Sequence, residues 1–265
     1  ASRDERFLDI GLDGTLGRMA SHVSHVGVHD HGFNVVSTYG NLLRLGREGL
    51  LPAGQHREQT EALCELALKV SGAVQAARWT ELPGQLGYIY SFNGAHSLFV
   101  DTIRSLRSLA AAHRLGHALM GEQDRRINLL ERLLRHAETT ARYNVYFGTG
   151  RDRYDVRGRT AHEAIFNVAS GAFRCPSTQQ GYSPFSTWTR GQAWALLGYP
   201  EQLEFLDSLP EEDFADLRAG DLRDKQAFLR RFEQAACALA DFYLEQTPPD
   251  GIPYWDTGAP GLALM

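Results

Sequence analysis

The sequence predicts a mainly helical protein in which helical hairpins pack side by side as a toroid. Apolar residues recur at i, i+3, i+4 and i+7 along several long stretches, which is the pattern of helices that lie on a core. The clearest case is the stretch 57–77, where one apolar face is predicted to be buried. That face comprises Leu63, Leu66, Ala67 and Val70. Residues with high β-propensity are confined to two shorter segments, so the predicted fold class is all-α with inserted β-hairpins.

Further helices follow in chain order from the same periodicity and from glycine and proline breakers. Gly116 and Gly121 separate the stretches 96–120 and 122–143, which are predicted to form one helical hairpin. Towards the end of the chain, the predicted helices are 186–199, 201–209 and about 222–246. The last of these is closed by the sequence TPPDG.

Two segments break the helical pattern. Residues 80–94 and 143–182 carry β-forming residues separated by glycine-rich turns, and they are predicted to be β-hairpins or ordered loops. A helical scaffold can hold insertions of this size rigidly while they shape a pocket. Function is therefore expected in these segments.

Composition limits the class of partner and the compartment. The 265 residues are 43% hydrophobic and 22% charged, which is ordinary for a single globular domain over residues 1–265. The formal net charge is −5, so nucleic acid is not an expected partner. No apolar run approaches the length of a membrane span, and no secretory signal is seen at the start. Membrane association is therefore not expected, and the oligomeric state is left open.

The cysteines favour a reducing compartment. Cys64, Cys175 and Cys237 are odd in number and far apart, so neither a disulfide framework nor a cysteine zinc site is indicated. A cytoplasmic location is expected, with a periplasmic or exported one left open.

The stretch HVSHVGVHDHGF, residues 22–33, holds four histidines around Asp30. On a helix, His25 and His29 would present both rings to one metal ion. Gly27 interrupts such a helix, and no second ligand cluster is seen in the sequence, so neither a metal nor a cofactor is expected. Asp30 itself has two interpretations: a helix N-cap, or a carboxylate that faces a cavity.

Asp101 has the same two interpretations. It follows an apolar run, 98–100, and precedes an apolar helical face. An acid in that setting is expected to be partly desolvated, which raises its pKa and suits it to hold a proton near neutral pH. The alternative is again a helix cap.

The stretch YSPFSTWTRGQAWALLGY has a composition that suits sugar binding. Trp188 and Trp194 are six residues apart, so on one helix they point to different faces. Aromatic faces stack on apolar ring surfaces, and the planar guanidinium of Arg190 suits carboxylate or hydroxyl oxygens. The segment PPDGIPYWDTGAP adds Trp255 and Asp256 in a loop of the kind that lines the mouth of a pocket.

Four segments occur in the order found in unsaturated glucuronyl hydrolases, glycoside hydrolase family 88, which the chain resembles over nearly its whole length. They are HDHGF (29–33), LFVDTIRSL (98–106), QGYSPFSTWTRGQAWALLGY (180–199) and DGIPYWDTGAP (250–260). The resemblance implies an (α/α)6 barrel, a toroid of six helical hairpins. Since the family continues beyond this sequence, the barrel is expected to be incomplete at one or both ends.

The resemblance also implies a function and a set of site residues. The family removes the 4,5-unsaturated uronic acid at the non-reducing end of lyase-generated, glycosaminoglycan-type oligosaccharides by hydration of the vinyl ether double bond. The matching positions are Asp101 and Asp30 as catalytic residues, with His29, His162, Gln180, Trp188, Arg190 and Trp194 as substrate-binding residues. Two alternatives remain open: a non-catalytic sugar-binding relative, and a sugar epimerase or isomerase on a helical toroid, an enzyme type that tends to rely on paired histidines.

Overall fold

The computed structural model describes residues 5–51 and 55–262, which belong to two compact units. Unit 1 comprises Ala1–Arg78 and Arg107–Leu130. Unit 2 comprises Trp79–Leu106 and Glu131–Met265. The single domain expected over residues 1–265 stays a prediction.

Helices dominate both units, as predicted. In chain order they are α1 Glu5–Arg18, α2 Ala20–Val23, α3 His31–Val35, α4 Asn41–Arg47, α5 Gln55–Ala77, α6 Thr102–Ser105, α7 Arg107–Arg114, α8 Leu129–Tyr143, α9 Thr189–Asp207 and α10 Lys225–Gln246. A π-helical turn, Val36–Gly40, joins α3 to α4. No helix in the described part of the chain is both long and apolar enough to cross a membrane.

Over residues 5–51 and 55–262, the strands form three small antiparallel sheets. They are β1 Trp79–Leu82, β2 Leu86–Ile89, β3 Ser97–Phe99, β4 Leu119–Met120, β5 Arg126–Ile127, β6 Glu163–Phe166 and β7 Phe173–Ser177. Strands β1 and β2 form a hairpin, β4 pairs with β5, and the third sheet has the order β3-β6-β7. The β-structure predicted in segments 80–94 and 143–182 is therefore confirmed.

Unit 1 is organised around α5, which packs against α4 and α7. The predicted buried face of α5 is partly wrong, because Leu63 and Leu66 are 47% and 58% exposed. The face that is buried instead includes Cys64, Ala67, Leu68, Ser71 and Gln75. Two of these residues are polar, so apolar periodicity alone selects a neighbouring face. Their side chains bind the segment that carries Asp30, as described below.

Unit 2 contains the packed pair α9 and α10, with α6 against α9. Helix α9 runs without interruption through Pro200, so the two helices predicted at 186–199 and 201–209 are one. A proline inside a helix costs roughly 3 kcal/mol. Tertiary contacts offset that cost: the Gln192 amide donates to the Leu239 carbonyl at 3.1 Å, and the Tyr199 hydroxyl donates to the Ala137 carbonyl at 3.0 Å.

The predicted helix 96–120 is wrong at both ends, since α7 ends at Arg114 and Leu119–Met120 form β4. Residues 97–99 form β3, which pairs with β6 so that Phe99 lies opposite Glu163. The Val100 N–H then donates to the His162 carbonyl at 2.9 Å, and only after Asp101 does the chain turn into α6. The following helix, α8, begins at Leu129 and not near residue 122, because a short 3-10 turn, Glu122–Asp124, precedes it.

Candidate active site

Within unit 1, His29 and Asp30 end the irregular segment between α2 and α3. Asp30 occupies the N-cap position of α3, but within the described chain no helix N–H donates to its side chain. The N-cap interpretation of the carboxylate therefore fails. The side chain is 37% exposed, and its Oδ1 lies 3.6 Å from Nε2 of His29, whose side chain is 1% exposed. The carboxylate thus has one face against a buried imidazole and another open to solvent.

His31 anchors this segment to α5. Its Nδ1 lies 2.8 Å from the Ser71 hydroxyl, its Nε2 lies 2.9 Å from the His25 carbonyl, and its backbone N–H donates to the Gln75 amide oxygen at 3.1 Å. Burial lowers the pKa of His31, although the His25 carbonyl partly offsets that effect. His31 is therefore a neutral histidine that packs this segment against α5.

Two arginines hold the same segment from other directions. The Arg78 guanidinium donates to the Val26 carbonyl, and Nε of Arg107 donates to the Gly32 carbonyl at 2.6 Å. His25 is exposed and lies outside any helix, so the helical i, i+4 pair that would favour a metal site is not formed. The segment around Asp30 is therefore a loop held in place by hydrogen bonds with α5, Arg78 and Arg107.

Within unit 2, Asp101 lies at the end of β3 and the start of α6. Its backbone carbonyl accepts from the Arg104 N–H at 3.0 Å, but in the described part of the chain its side chain does not cap α6. The N-cap interpretation fails here too. The residue is half-buried and its Oδ1 is shielded from solvent. The bond from Val100 N–H to His162 fixes the backbone just before it.

His162 is a buried histidine in an aromatic setting. Its ring centroid lies 4.6 Å from that of Phe99 and 4.7 Å from that of Trp188. The backbone N–H groups of Gln179 and Gln180 donate to its Nδ1 at 3.0 and 3.4 Å. An accepting Nδ1 assigns the neutral tautomer with the proton on Nε2. His162 is therefore suited to donate a hydrogen bond through Nε2.

Gln180, Arg190 and Trp188 form one contact group next to His162. Nη2 of Arg190 donates to Oε1 of Gln180 at 2.6 Å, and the guanidinium carbon lies 4.6 Å from the Trp188 ring centroid. Gln180 and Arg190 are exposed, whereas Trp188 is 3% exposed. The Trp188 ring thus contacts both the imidazole and the guanidinium, and its burial leaves little surface for a sugar. Trp194, the second tryptophan of the pair, is half-buried on α9.

Asp256 is a site residue whose role the sequence pattern did not reveal. Its side chain is fully buried, and its two oxygens accept from the Tyr182 N–H at 2.8 Å and the Gly258 N–H at 2.9 Å. It also pairs with Trp188 in an isolated β-bridge. Asp256 therefore fixes the turn that follows Gln180.

Two glycines make these close approaches possible. A Cβ on Gly181 would lie 2.9 Å from both Asp256 and Trp188, and a Cβ on Gly191 would lie 2.6 Å from the Trp188 ring. The glycines of the QGY and RGQ motifs are thus explained by packing around Trp188.

Comparisons with known proteins bear on these positions. No family model matches the chain. Over 132 residues it is 28% identical to an unsaturated glucuronyl hydrolase from Formosa agariphila, an alignment that covers 49% of this chain and 26% of that protein. Over 110 residues it is 31% identical to an unsaturated glucuronyl hydrolase from Bacillus sp. (strain GL1), covering 41% of this chain and 24% of that protein.

A solved structure extends the likeness to the fold. The crystal structure of the unsaturated glucuronyl hydrolase from Bacillus sp. GL1, described as responsible for the degradation of glycosaminoglycan, matches with a TM-score of 0.66 at 19% identity. The match covers 97% of this chain and 56% of that one. The chain is similar to unsaturated glucuronyl hydrolases. It spans about a quarter of the length of the two curated relatives and about half of the solved structure.

Proposed function

We propose that the protein removes the 4,5-unsaturated uronic acid from the non-reducing end of lyase-generated, glycosaminoglycan-type oligosaccharides. The observation that carries the proposal is the group of His162, Gln180, Arg190 and Trp188, which backbone pairing ties to Asp101. It combines an acid with neutral and cationic donors, which a uronic acid requires. The similarity to unsaturated glucuronyl hydrolases supports the same substrate class. We also propose that the helices belong to an (α/α)6 barrel.

The substrate chemistry determines what the acid must do. The C4=C5 double bond carries the ring oxygen on C5, so it is a vinyl ether that reacts by protonation. Asp101 delivers a proton to C4, and positive charge develops at C5 and the ring oxygen. Water adds to C5 while the Asp101 carboxylate takes up a proton from it. The hemiketal opens, and the hemiacetal left at C1 collapses and releases the remaining sugar.

The neighbouring side chains bind and orient the substrate. Arg190 binds the uronate carboxylate, because its guanidinium is exposed and the Gln180 oxygen holds it in place. Nε2–H of His162 donates to a substrate oxygen. Trp188 packs against the His162 imidazole and the Arg190 guanidinium and holds them in position, since its own ring has almost no solvent exposure.

The remaining predicted residues bind the sugar ring. Asp30 accepts hydrogen bonds from hydroxyl groups through its open face, with His29 orienting it from the buried side. Trp194 contributes an apolar surface from α9. All the proposed steps move protons and water only, so the reaction requires neither a metal nor a cofactor.

The epimerase alternative is less well supported. A histidine that exchanges protons with a sugar carbon needs one nitrogen free to act as a base. Backbone N–H donors occupy Nδ1 of His162, and the proton occupies Nε2. Asp101 is the better proton donor.

The test is the ultraviolet absorbance of the conjugated double bond in unsaturated disaccharides from chondroitin, hyaluronan and heparin. The native protein is expected to remove this absorbance, and Asp101→Asn to slow its loss by about a hundredfold or more. Asp224→Asn is the matched control, because Asp224 is a true N-cap whose carboxylate accepts from the Ala227 N–H at 2.8 Å. It is expected to retain the native rate.

The other outcomes identify the alternatives. Binding of the disaccharides without any loss of absorbance would favour a non-catalytic sugar-binding protein. A native rate in Asp101→Asn, combined with inactivation by His162→Ala, would favour chemistry based on histidine.

A further inference from the structure

Two aromatic side chains form an exposed stack on unit 2. The rings of Tyr154 and Phe185 lie with their centroids 4.9 Å apart at an interplanar angle of 30°. They are 46% and 44% exposed, so a large part of each side chain stays open to solvent although the two rings pack on each other. Aromatic side chains contribute large buried area to folding, and an ordered pair left half-exposed therefore suggests a binding surface.

The loop that carries Tyr154 is held in a fixed conformation. The carboxylate of the next residue, Asp155, accepts from the backbone N–H groups of Gly148 at 2.9 Å, Thr149 at 3.0 Å and Arg151 at 2.7 Å. Because the Asp155 carboxylate accepts from three N–H groups of its own loop, it limits the backbone conformations that the neighbouring Tyr154 can adopt. The ring is thus ordered before any ligand binds, which lowers the entropic cost of binding.

Arg159 ties the Tyr154 loop to the Phe185 loop. Its guanidinium donates to the Asp152 carboxylate at 3.1 Å and to the Pro184 carbonyl at 3.4 Å, and it stacks on the Tyr146 ring at 3.5 Å. Arg159 is 3% exposed, so these bonds are shielded from water. One buried arginine therefore sets the spacing of the two exposed rings.

The stack lies close to the candidate active site along the chain. Phe185 is three residues before Trp188, and three extended residues span at most about 10 Å. Two further aromatic side chains, Tyr182 and Trp255, are 53% and 58% exposed next to the same turn. Exposed aromatic residues thus lie near the group formed by Trp188 and Arg190.

A cationic residue, Arg153, directly precedes Tyr154 in the chain. Arg153 is exposed, and among the described residues no carboxylate lies within ion-pair distance of its guanidinium. A guanidinium on the same loop as an exposed aromatic ring suits a sugar that bears an anionic substituent, since the C–H face of the sugar stacks on the aromatic ring and the guanidinium N–H groups donate to the anion.

We propose that Tyr154 and Phe185, with Arg153, form a second sugar-binding subsite for a residue on the leaving-group side of an anionic oligosaccharide. The subsite stacks the sugar ring on the aromatic pair and binds its carboxylate or sulfate through Arg153. The choice of ligand rests on the proposed function, because the oligosaccharide is the one whose unsaturated end enters the site near Asp101.

Kinetics on substrates of two lengths test the subsite. For the double variant Tyr154→Ala/Phe185→Ala, the ratio of kcat/KM for unsaturated tetrasaccharides to that for disaccharides is expected to fall about tenfold, mainly through KM. Tyr154→Phe keeps the stacked ring and is expected to restore most of that ratio. Val168→Ala removes an exposed apolar side chain elsewhere in unit 2 and serves as the matched control. An unchanged ratio in the double variant would overturn the proposal.

A binding measurement separates this proposal from the proposed function. Saturated tetrasaccharides, made with hydrolases, have no double bond, so their affinity by calorimetry does not depend on turnover. Tyr154→Ala/Phe185→Ala is expected to weaken this binding about tenfold even if the native protein hydrates nothing. Equal affinity in the native and double-variant proteins would overturn the subsite while leaving the hydration chemistry intact.

Comparison of hyaluronan with chondroitin sulfate tetrasaccharides identifies the anion. Arg153→Gln is expected to weaken both ligands several-fold if a carboxylate is bound, and only the sulfated ligand if sulfate is bound. No effect on either ligand would remove Arg153 from the subsite.

Discussion

Asp256 offers a sharp test of how the site is held together. Its carboxylate is fully buried and accepts two backbone N–H groups, from Tyr182 and Gly258. Hydrogen bonds to a charged acceptor contribute about 1.5 to 3 kcal/mol each, and truncation leaves both donors buried without an acceptor. Asp256→Ala is therefore expected to lower the free energy of unfolding by about 3 kcal/mol or more. Asp256→Asn keeps one acceptor oxygen and is expected to lose about half as much.

Urea unfolding followed by tryptophan fluorescence measures this loss of stability in unit 2, which contains Asp256. All four tryptophans, Trp79, Trp188, Trp194 and Trp255, lie in unit 2. Asp250→Ala is the matched control, because Asp250 lies in the same segment but is exposed, and among the described residues its side chain accepts only from the Ile252 N–H at 3.0 Å. It is expected to cost about 0.5 kcal/mol or less. A loss below about 1 kcal/mol in Asp256→Ala would refute the role given to the buried carboxylate.

Three further predictions follow from the packing and the titratable groups. Gly191→Ala is expected to lower the free energy of unfolding by about 1 to 3 kcal/mol and also to lower kcat/KM, because the added Cβ would lie 2.6 Å from the ring of Trp188. A urea midpoint equal to that of the native protein would contradict this. Burial lowers the pKa of His31 from 6.5, so the unfolded state binds the additional proton and stability should fall as pH drops below about 6.5. Burial also lowers the pKa of His117, so circular dichroism unfolding at several pH values should show a smaller loss in His31→Gln than in the native protein. An equal loss in both proteins would contradict this. Burial alone would raise the pKa of the Asp155 carboxylate, but its backbone N–H donors and Arg151 lower that pKa below 3.8. The contribution of Asp155 to stability is therefore present above about pH 3.8 and is lost as pH falls through the folded-state pKa. Asp155→Asn should remove this acid-dependent loss of stability from the unfolding curves.

Local patterns predicted the bounds of two long helices well, although the buried face of α5 includes polar side chains that apolar periodicity does not select. The long helices α5 and α10 begin and end within three residues of their predicted bounds. The errors have non-local causes. Strand β3 forms because it pairs with β6, more than sixty residues away, and Pro200 is tolerated because α9 packs on α6 and α10. The residues next to β3 and Pro200 in the sequence do not reveal these packing partners.

The candidate site shows the same division. The sequence setting indicates Asp101, which follows an apolar run, and Arg190, which lies between two tryptophans, whereas His162 is indicated only by the resemblance to unsaturated glucuronyl hydrolases. The tautomer of His162 depends on backbone N–H groups seventeen and eighteen residues away, and the role of Asp256 depends on a turn seventy-four residues away. Such contacts leave no local spacing pattern.

The central claim is that Asp101 delivers a proton to C4 of an unsaturated uronic acid and that water then adds to C5. The most direct measurement is nuclear magnetic resonance of the product formed from an unsaturated chondroitin disaccharide in heavy water during the first turnovers. We expect one deuteron on a single face of C4 with the native protein and almost none with Asp101→Asn. Release of the second sugar with the C4=C5 double bond intact, or equal deuteration by Asp101→Asn, would contradict it.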